Sequence, residues 1–156
     1  MEIRQILENK REFLPLLLLG DEQESMIDRY LDRGKLFVLY DSGRLRTVCV
    51  VTDEGGVFEV KNLATAPDSQ RRGYGRAMLS FAAGYCRDNG GRTLLVGTGD
   101  SPLTIPFYEK CGFQESHRIP HFFTDHYDHP IFEAGRQLVD MVYLKLALRR
   151  GEEEPL

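Results

Sequence analysis

Gln70-Arg71-Arg72-Gly73-Tyr74-Gly75 lies between a strand-like run, Val57 to Ala66, and a helix-like run that begins near Arg76, and no other stretch narrows the fold as far. Two glycines and two arginines at the start of a helix suit a polyanion, specifically a pyrophosphate. Backbone N–H groups at a helix N-terminus lack intrahelical partners, and the positive end of the macrodipole lies behind them. Glycine lets phosphate oxygens approach that backbone without a Cβ in the way and admits φ > 0 in the turn. Arg71, Arg72 and Arg76 add full charges to these partial ones. The bland alternative is a surface turn that happens to hold glycine and arginine.

Two other phosphate loops are excluded. A P-loop needs Gly-Lys followed by Ser or Thr, and no such tripeptide occurs. A dinucleotide fingerprint needs a third glycine or an alanine where Met78 stands. At 156 residues the chain has the length of one domain, and 42% apolar with 28% charged residues describes a soluble globular protein. A net charge of −4 gives no electrostatic case for nucleic acid. The longest aliphatic run, Leu16 to Leu19, is far too short to span a bilayer, and no secretory signal precedes it. Cys49, Cys86 and Cys111 form no C-x-x-C pair and read as reduced core thiols of a cytoplasmic protein.

Along the chain, Glu2 to Ile6 alternates as a strand. Asn9 with Glu12, and Asp21 with Glu24, have the spacing of capping boxes, predicting helices from about Asn9 to Gly20 and from Asp21 to about Leu31. Leu36–Tyr40 and Leu45–Thr52 are strand-like around the hairpin turn Asp41-Ser42-Gly43, and Gly55-Gly56 turns the chain into the Val57–Ala66 strand. Met78, Phe81, Ala82 and Tyr85 form the apolar stripe of a helix that Asn89-Gly90-Gly91 ends. Thr93 to Val96 is a short strand, Pro102 to Lys110 a brief helix, and Phe113 onward and Gln137 to Leu148 two more strands. The order is β-α-α-β-β-β-α-β-α-β-β.

The pattern Gln/Arg-x-x-Gly-x-Gly/Ala between strand and helix resembles the acetyl-CoA loop of the GNAT superfamily of N-acetyltransferases. A second segment, Phe107-Tyr108-Glu109-Lys110-Cys111-Gly112-Phe113, is similar to that superfamily's Phe/Tyr-Tyr-Glu-Lys-x-Gly-Phe. The resemblance covers about residues 1–149, leaving 150–156 as an acidic tail. It implies an α/β fold with a mixed, mostly antiparallel sheet and helices on both faces. It also implies acetyl-CoA as co-substrate and direct acetyl transfer, in a ternary complex, to an amine of a small molecule or peptide. The alternatives are a non-catalytic acyl-CoA-binding or regulatory module on the same fold, or transfer of a longer acyl group. A homodimer accords with family habit; no membrane or nucleic-acid partner is expected.

The resemblance assigns cofactor contacts to Gln70, Arg71, Arg72, Gly73, Tyr74, Gly75 and Arg76, and to main-chain groups of Leu63, Ala64 and Thr65. Ser101 stands where the family commonly has Asn, which leaves that contact open. Tyr108 would face the thioester and serve the departing thiolate. A free Tyr titrates near about 10 and a thiol near about 8.5, so full proton transfer is uphill by roughly 2 kcal/mol. A strong hydrogen bond to developing charge on sulfur, with the proton following, is the physical version of that role; a Tyr packed as core is the alternative. Glu59, flanked by Val57, Phe58 and Val60, is the candidate base that deprotonates the amine, or else a glutamate that is solvated or paired with Lys61.

All four histidines fall between His117 and His129, but their spacing fits no zinc template, and no metal is expected. His121, Phe123 and Tyr127 instead read as an aromatic, polar loop over the acceptor pocket, with simple packing on the last strands as the alternative. His121-Phe122-Phe123 with Pro130-Ile131-Phe132-Glu133 and Gly135 looks like a bacterial GNAT subgroup of unassigned substrate.

Overall fold

A computed structural model describes residues 1–148; the proposed acidic tail, 150–156, lies outside the described residues. The strands are β1 (Glu2–Ile6), β2 (Lys35–Asp41), β3 (Arg44–Asp53), β4 (Val57–Thr65), β5 (Thr93–Gly99), β6 (Gln114–Ile119), β7 (Phe132–Glu133), β8 (Arg136–Gln137) and β9 (Met141–Ala147). The helices are α1 (Leu14–Gly20), α2 (Glu24–Ile27), α3 (Tyr74–Asp88), α4 (Ile105–Lys110) and α5 (Phe122–His126). Seven strands form one sheet in the order β1-β2-β3-β4-β5-β9-β6, and β7 and β8 form a separate hairpin. Every pairing in the large sheet is antiparallel except β4 with β5.

Strand periodicity of two fills both faces. Phe37, Leu39, Cys49 and Val51 point to the face covered by α3 and α4, whereas Leu36, Val38, Val48 and Val50 meet α1 and α2. β4 changes sides partway. Val51 opposes Val60 and Val50 opposes Asn62, so Lys61 is an extra residue, a β-bulge. Before it, the even-numbered Phe58 and Val60 pack under α3; after it, Ala64 packs under α1, and Leu63 joins the α3 side. The bulge also marks where β4 leaves β5. Their pairing runs from Val57↔Thr93 to Val60↔Val96 and stops, although β4 continues to Thr65 and β5 to Gly99.

The expected order of elements is present, with additions and corrections. The Asn9–Glu12 capping box does not form: Asn9 is left-handed (φ 56°) with no side-chain cap bond, residues 10–13 make a 3₁₀ turn, and α1 begins only at Leu14. Pro15 sits in the first turn of α1, where its missing N–H has no intrahelical bond to lose. Asp21 does not cap α2 either; Gln23 occupies that position and the helix ends at Ile27. On α3 the buried positions are Tyr74, Met78, Leu79, Ala82 and Cys86, while Phe81 is 39% exposed. A flat sheet takes a wider contact than one stripe, so Phe81 and Tyr85 sit at its border, edge-on to Phe37 at 5.2 and 5.0 Å. The long final strand is shorter than expected, because Arg136–Gln137 turns back on Phe132–Glu133 through Ala134 and Gly135, both with positive φ. Among the described residues no helix is long and apolar enough to cross a membrane.

Candidate active site

The parting of β4 from β5 opens a cavity of about 300 Å³ through the sheet. Its walls are β4 from Val60 to Leu63 and β5 from Val96 to Gly99, with Thr104 and Tyr108 at one end and Asp21, Phe123 and Tyr127 at the other. Beyond Val60 and Val96 the facing edges of the two strands have no partner strand. Their backbone donors and acceptors are free for an extended ligand that carries amides. A second cavity, about 380 Å³, lies beside the first over Glu59, Tyr30 and Tyr143. Asp21, Val60, Lys61, Gly97, Tyr127 and Met141 line both.

The glycine-rich loop lines neither cavity but adjoins the end of β4. The first intrahelical backbone bond runs from Ala77 N to Gly73 O at 3.0 Å, so the amides of Tyr74, Gly75 and Arg76 start α3 without such partners. Gly73 is the N-cap with φ 87°, and Arg71 is left-handed at φ 62°. Gln70 Nε2 donates to Thr65 O at 3.2 Å, tying the loop back to β4. Arg71, Arg72 and Arg76 are exposed, and among the described residues none has an acidic partner within ion-pair distance. Three guanidiniums with no acidic partner beside a helix N-terminus fit a diphosphate.

Tyr74 has a different part from its neighbours. Its ring is buried, its hydroxyl donates to Asp41 Oδ2 at 2.6 Å, and the Arg46 and Arg72 guanidiniums lie 5.4 and 5.5 Å from its centre. That hydroxyl bond is the first cause of an Asp41 carboxyl held below the ordinary range. Arg46, itself buried, donates to Ser69 Oγ at 3.0 Å and to Asp41 O at 3.2 Å. Tyr74 thus presents only its amide to a ligand, and its side chain joins Arg46 and Asp41 in anchoring the loop. Sequence reading passed over Arg46 and Asp41 because each belongs to an ordinary-looking hairpin.

Tyr108 enters from α4. Its ring is buried edge-on between Phe107 and Phe113, at 5.1 and 5.6 Å, and the residue lines the cavity. Burial pushes its phenol well above the ordinary range, so the hydroxyl is a neutral donor. Ser101 is buried, but its Oγ accepts from Leu103 N at 3.1 Å and its carbonyl accepts from Thr104 N and Ile105 N. It shapes the turn into α4 and lies outside both cavity linings. The aliphatic hydroxyls among the residues that line the cavity are those of Thr98 and Thr104, 2.7 Å apart. None of the three cysteines lines either cavity, and burial raises the Cys111 thiol.

On the other side of the sheet, Glu59 is 9% exposed, and its Oε2 accepts from Lys61 Nζ at 2.9 Å and Tyr143 O–H at 3.1 Å. The ion pair with Lys61, one form of the alternative expected for Glu59, is present. Asp21, which sequence reading took for a helix cap, is the unforeseen group. Tyr127 donates to its Oδ1 at 2.7 Å and Tyr30 to its Oδ2 at 3.0 Å. Burial raises its carboxyl, opposed by the bonds from Tyr127, Tyr30 and the Gln23 amide. Tyr30 in turn accepts from Asn62 Nδ2 at 3.1 Å, and the same nitrogen donates to Leu17 O at 2.9 Å. No local pattern could have shown this, because Tyr127 is 106 positions from Asp21.

The histidines disperse. His117 stacks on Tyr143 at 4.8 Å, His126 lies against Phe122, and His129 bridges Asp128 and Glu22, which raise its pKa. His121 is an exposed, left-handed N-cap of α5 and lines neither cavity, whereas Phe123 and Tyr127 line the first. Among the described residues no three His, Cys, Asp or Glu side chains converge as metal ligands.

Residues 32–115 match the family model described as an acetyltransferase (GNAT) domain. An uncharacterized N-acetyltransferase, YvbK, of Bacillus subtilis is 34% identical over 90% of this chain and 92% of its own length. An acetyltransferase of the same organism, solved in complex with CoA, superposes with a TM-score of 0.88 at 33% identity, over 95% of this chain and 99% of that one. A GNAT family acetyltransferase from Elizabethkingia anophelis with acetyl-CoA bound gives 0.90 at 29% identity, over 94% and 97%.

Proposed function

The chain belongs to the acetyltransferase (GNAT) family and is an acetyl-CoA-dependent N-acetyltransferase, and from that premise we propose that it acetylates a primary amine of a small molecule or peptide by direct transfer across the gap between β4 and β5. The observation that carries this reading is the parting of β4 from β5 beside the glycine-rich loop. The unpaired edges of β4 and β5 run from Tyr108 to Asp21, Phe123 and Tyr127, and the arginine-flanked N-terminus of α3 adjoins the end of β4 through Gln70 and Thr65.

Acetyl-CoA supplies the acetyl group already activated as a thioester. Arg71, Arg72 and Arg76 with the first amides of α3 hold its diphosphate. Main-chain groups of Leu63, Ala64 and Thr65 orient its amide-bearing arm, as an added strand would be held. The neutral Tyr108 hydroxyl donates to charge developing on sulfur and then passes its proton there. Phe123 and Tyr127 give the acceptor an aromatic wall. Direct transfer is favoured over an acyl-enzyme because no cysteine reaches the cavity. A primary amine of pKa near about 10.4 is neutral in fewer than about one molecule per thousand at pH 7, so a carboxylate of the cavity, directly or through water, speeds transfer by taking its proton. Four carboxylates line the two cavities, Asp21, Glu22, Glu59 and Glu133; Glu22 is engaged by His129, and Asp21 alone lines both cavities among the described residues.

The test is thiol release from acetyl-CoA in the presence of a panel of polyamines, aralkylamines, amino acids and peptides. Release that depends on the amine and yields the N-acetyl product is expected. Binding of CoA with no amine-dependent release from any member overturns the reading.

A further inference from the structure

We infer that Asp21 is the catalytic group that receives the acceptor's ammonium and removes its proton; this rests on the amine-acetylating reading and deepens it. Asp21 is the only carboxylate that lines both cavities among the described residues, so a ligand in either meets it. Each of its oxygens accepts one tyrosine hydroxyl, and with the Gln23 amide these leave acceptor capacity for a further donor. Tyr30 and Tyr127 come from opposite sides, one from the turns after α2 and one from the end of α5. They fix the carboxylate plane before any ligand arrives.

Charge separates Asp21 from Glu59. Glu59 already faces Lys61 at 2.9 Å, and that neighbour offsets the attraction an ammonium would feel. Asp21 has no cationic partner within ion-pair distance among the described residues; two hydroxyl dipoles and the Gln23 amide offset its charge. Within its surroundings Glu22 is engaged by His129, and β4 brings only the Glu59–Lys61 pair. From α2 and the turns after it come Arg29 and Arg33, the latter held by Glu54, and β7 adds Glu133. A half-buried carboxylate with a raised proton affinity both attracts an alkylammonium and accepts its proton.

The step balances. Asp21 takes one proton from the ammonium, and the neutral nitrogen bonds to the acetyl carbon as the carbon–sulfur bond breaks. The excess proton then left on nitrogen reaches sulfur by way of the Tyr108 hydroxyl, and Asp21 releases its own to solvent. Ammonium and thioester thus give amide, thiol and one H⁺.

The experiment measures kcat/KM from pH 6 to 10 for the wild type, Asp21→Asn and Glu59→Gln. Acceptors are the alkylamines of the panel and a set of anilines, which are neutral across that range. Asp21→Asn should lower kcat/KM for alkylamines on the order of a hundredfold at pH 7 and leave anilines within about threefold. The alkylamine rate should then recover by about tenfold per pH unit toward the amine's own pKa, since only free amine reacts. Acetyl-CoA affinity, read by calorimetry, should hold within about twofold and reports folding. An equal loss with both acceptor classes makes Asp21 structural and overturns the inference. So does a loss confined to Glu59→Gln. A wild type that turns over no amine overturns the reading beneath it as well.

Discussion

Gly20→Ala tests the packing that holds this site. Gly20 is the last residue of α1, and its backbone is not left-handed, so helix propensity alone expects alanine to stabilise by up to about 1 kcal/mol. The structure reverses the sign. A Cβ there would stand 2.3 Å from Asn62 Oδ1, 3.0 Å from Asn62 Cγ and 3.3 Å from Ala64 Cβ. Asn62 is 3% exposed and cannot swing away without surrendering its bonds to Leu17 O and Tyr30 O–H. Each such bond is worth about 1 kcal/mol, and overpacking a core costs about 1–3 kcal/mol. A net destabilisation of about 2 kcal/mol follows, a fall in Tm of roughly 4–8 °C for a domain of this size. Urea and thermal unfolding measure it. Asn62→Ala removes the obstacle, so Gly20→Ala placed in that background should be neutral or stabilising. The two mutations should therefore couple by about 2 kcal/mol. A stabilising Gly20→Ala in the wild type, or the same penalty in both backgrounds, would refute the reasoning.

Three further outcomes concern the cofactor. Arg72→Glu should weaken CoA binding by roughly 10- to 100-fold, the loss of one charge-assisted contact plus a repulsion, with the difference shrinking at high salt in calorimetry. Gly73→Ala should weaken it too, because φ 87° strains any residue with a Cβ by about 1–3 kcal/mol; Gly75→Ala, whose Cβ would meet nothing nearer than Phe107 Cζ at 3.5 Å, should bind within about twofold of wild type. Tyr108→Phe should lower kcat on the order of a hundredfold while acetyl-CoA affinity stays within about twofold, and an unchanged kcat would remove the hydroxyl from the mechanism.

What the sequence displayed were local signals with local causes. The loop at Gln70–Gly75, the two-residue turns at Ser42-Gly43 and Gly55-Gly56, and the helix after Gly73 all follow from φ preferences and periodicity within a few residues, and all are present. The capping boxes failed for an equally physical reason: Asp21 finds better partners in two tyrosines than in a helix amide, and neither Tyr30 nor Tyr127 belongs to its turn. The stripe on α3 was misjudged because Leu79 and Cys86 are as apolar as Phe81 and Tyr85, and only the plane of the sheet chooses between them. His121 and Phe123 differ by two positions, yet one lies on the surface and the other in the cavity wall. The turn into α5 decides that, and nothing in composition does.

Lys61 makes β4 a strand that counts. Up to it the chain keeps one parity, and after it the opposite one, so Leu63 and Asn62 reach their respective sides through a single surplus residue. Substitutions along this strand change what is displayed on a face, but loss of the surplus residue removes the irregularity at which β4 parts from β5. Without the surplus residue the ladder would run unbroken, with Asn62 and Leu63 still on their present faces, but β4 would be able to stay zipped to β5 beyond Val96. Variation here is therefore expected in residue identity and hardly at all in length, since the doorway through the sheet depends on that arithmetic.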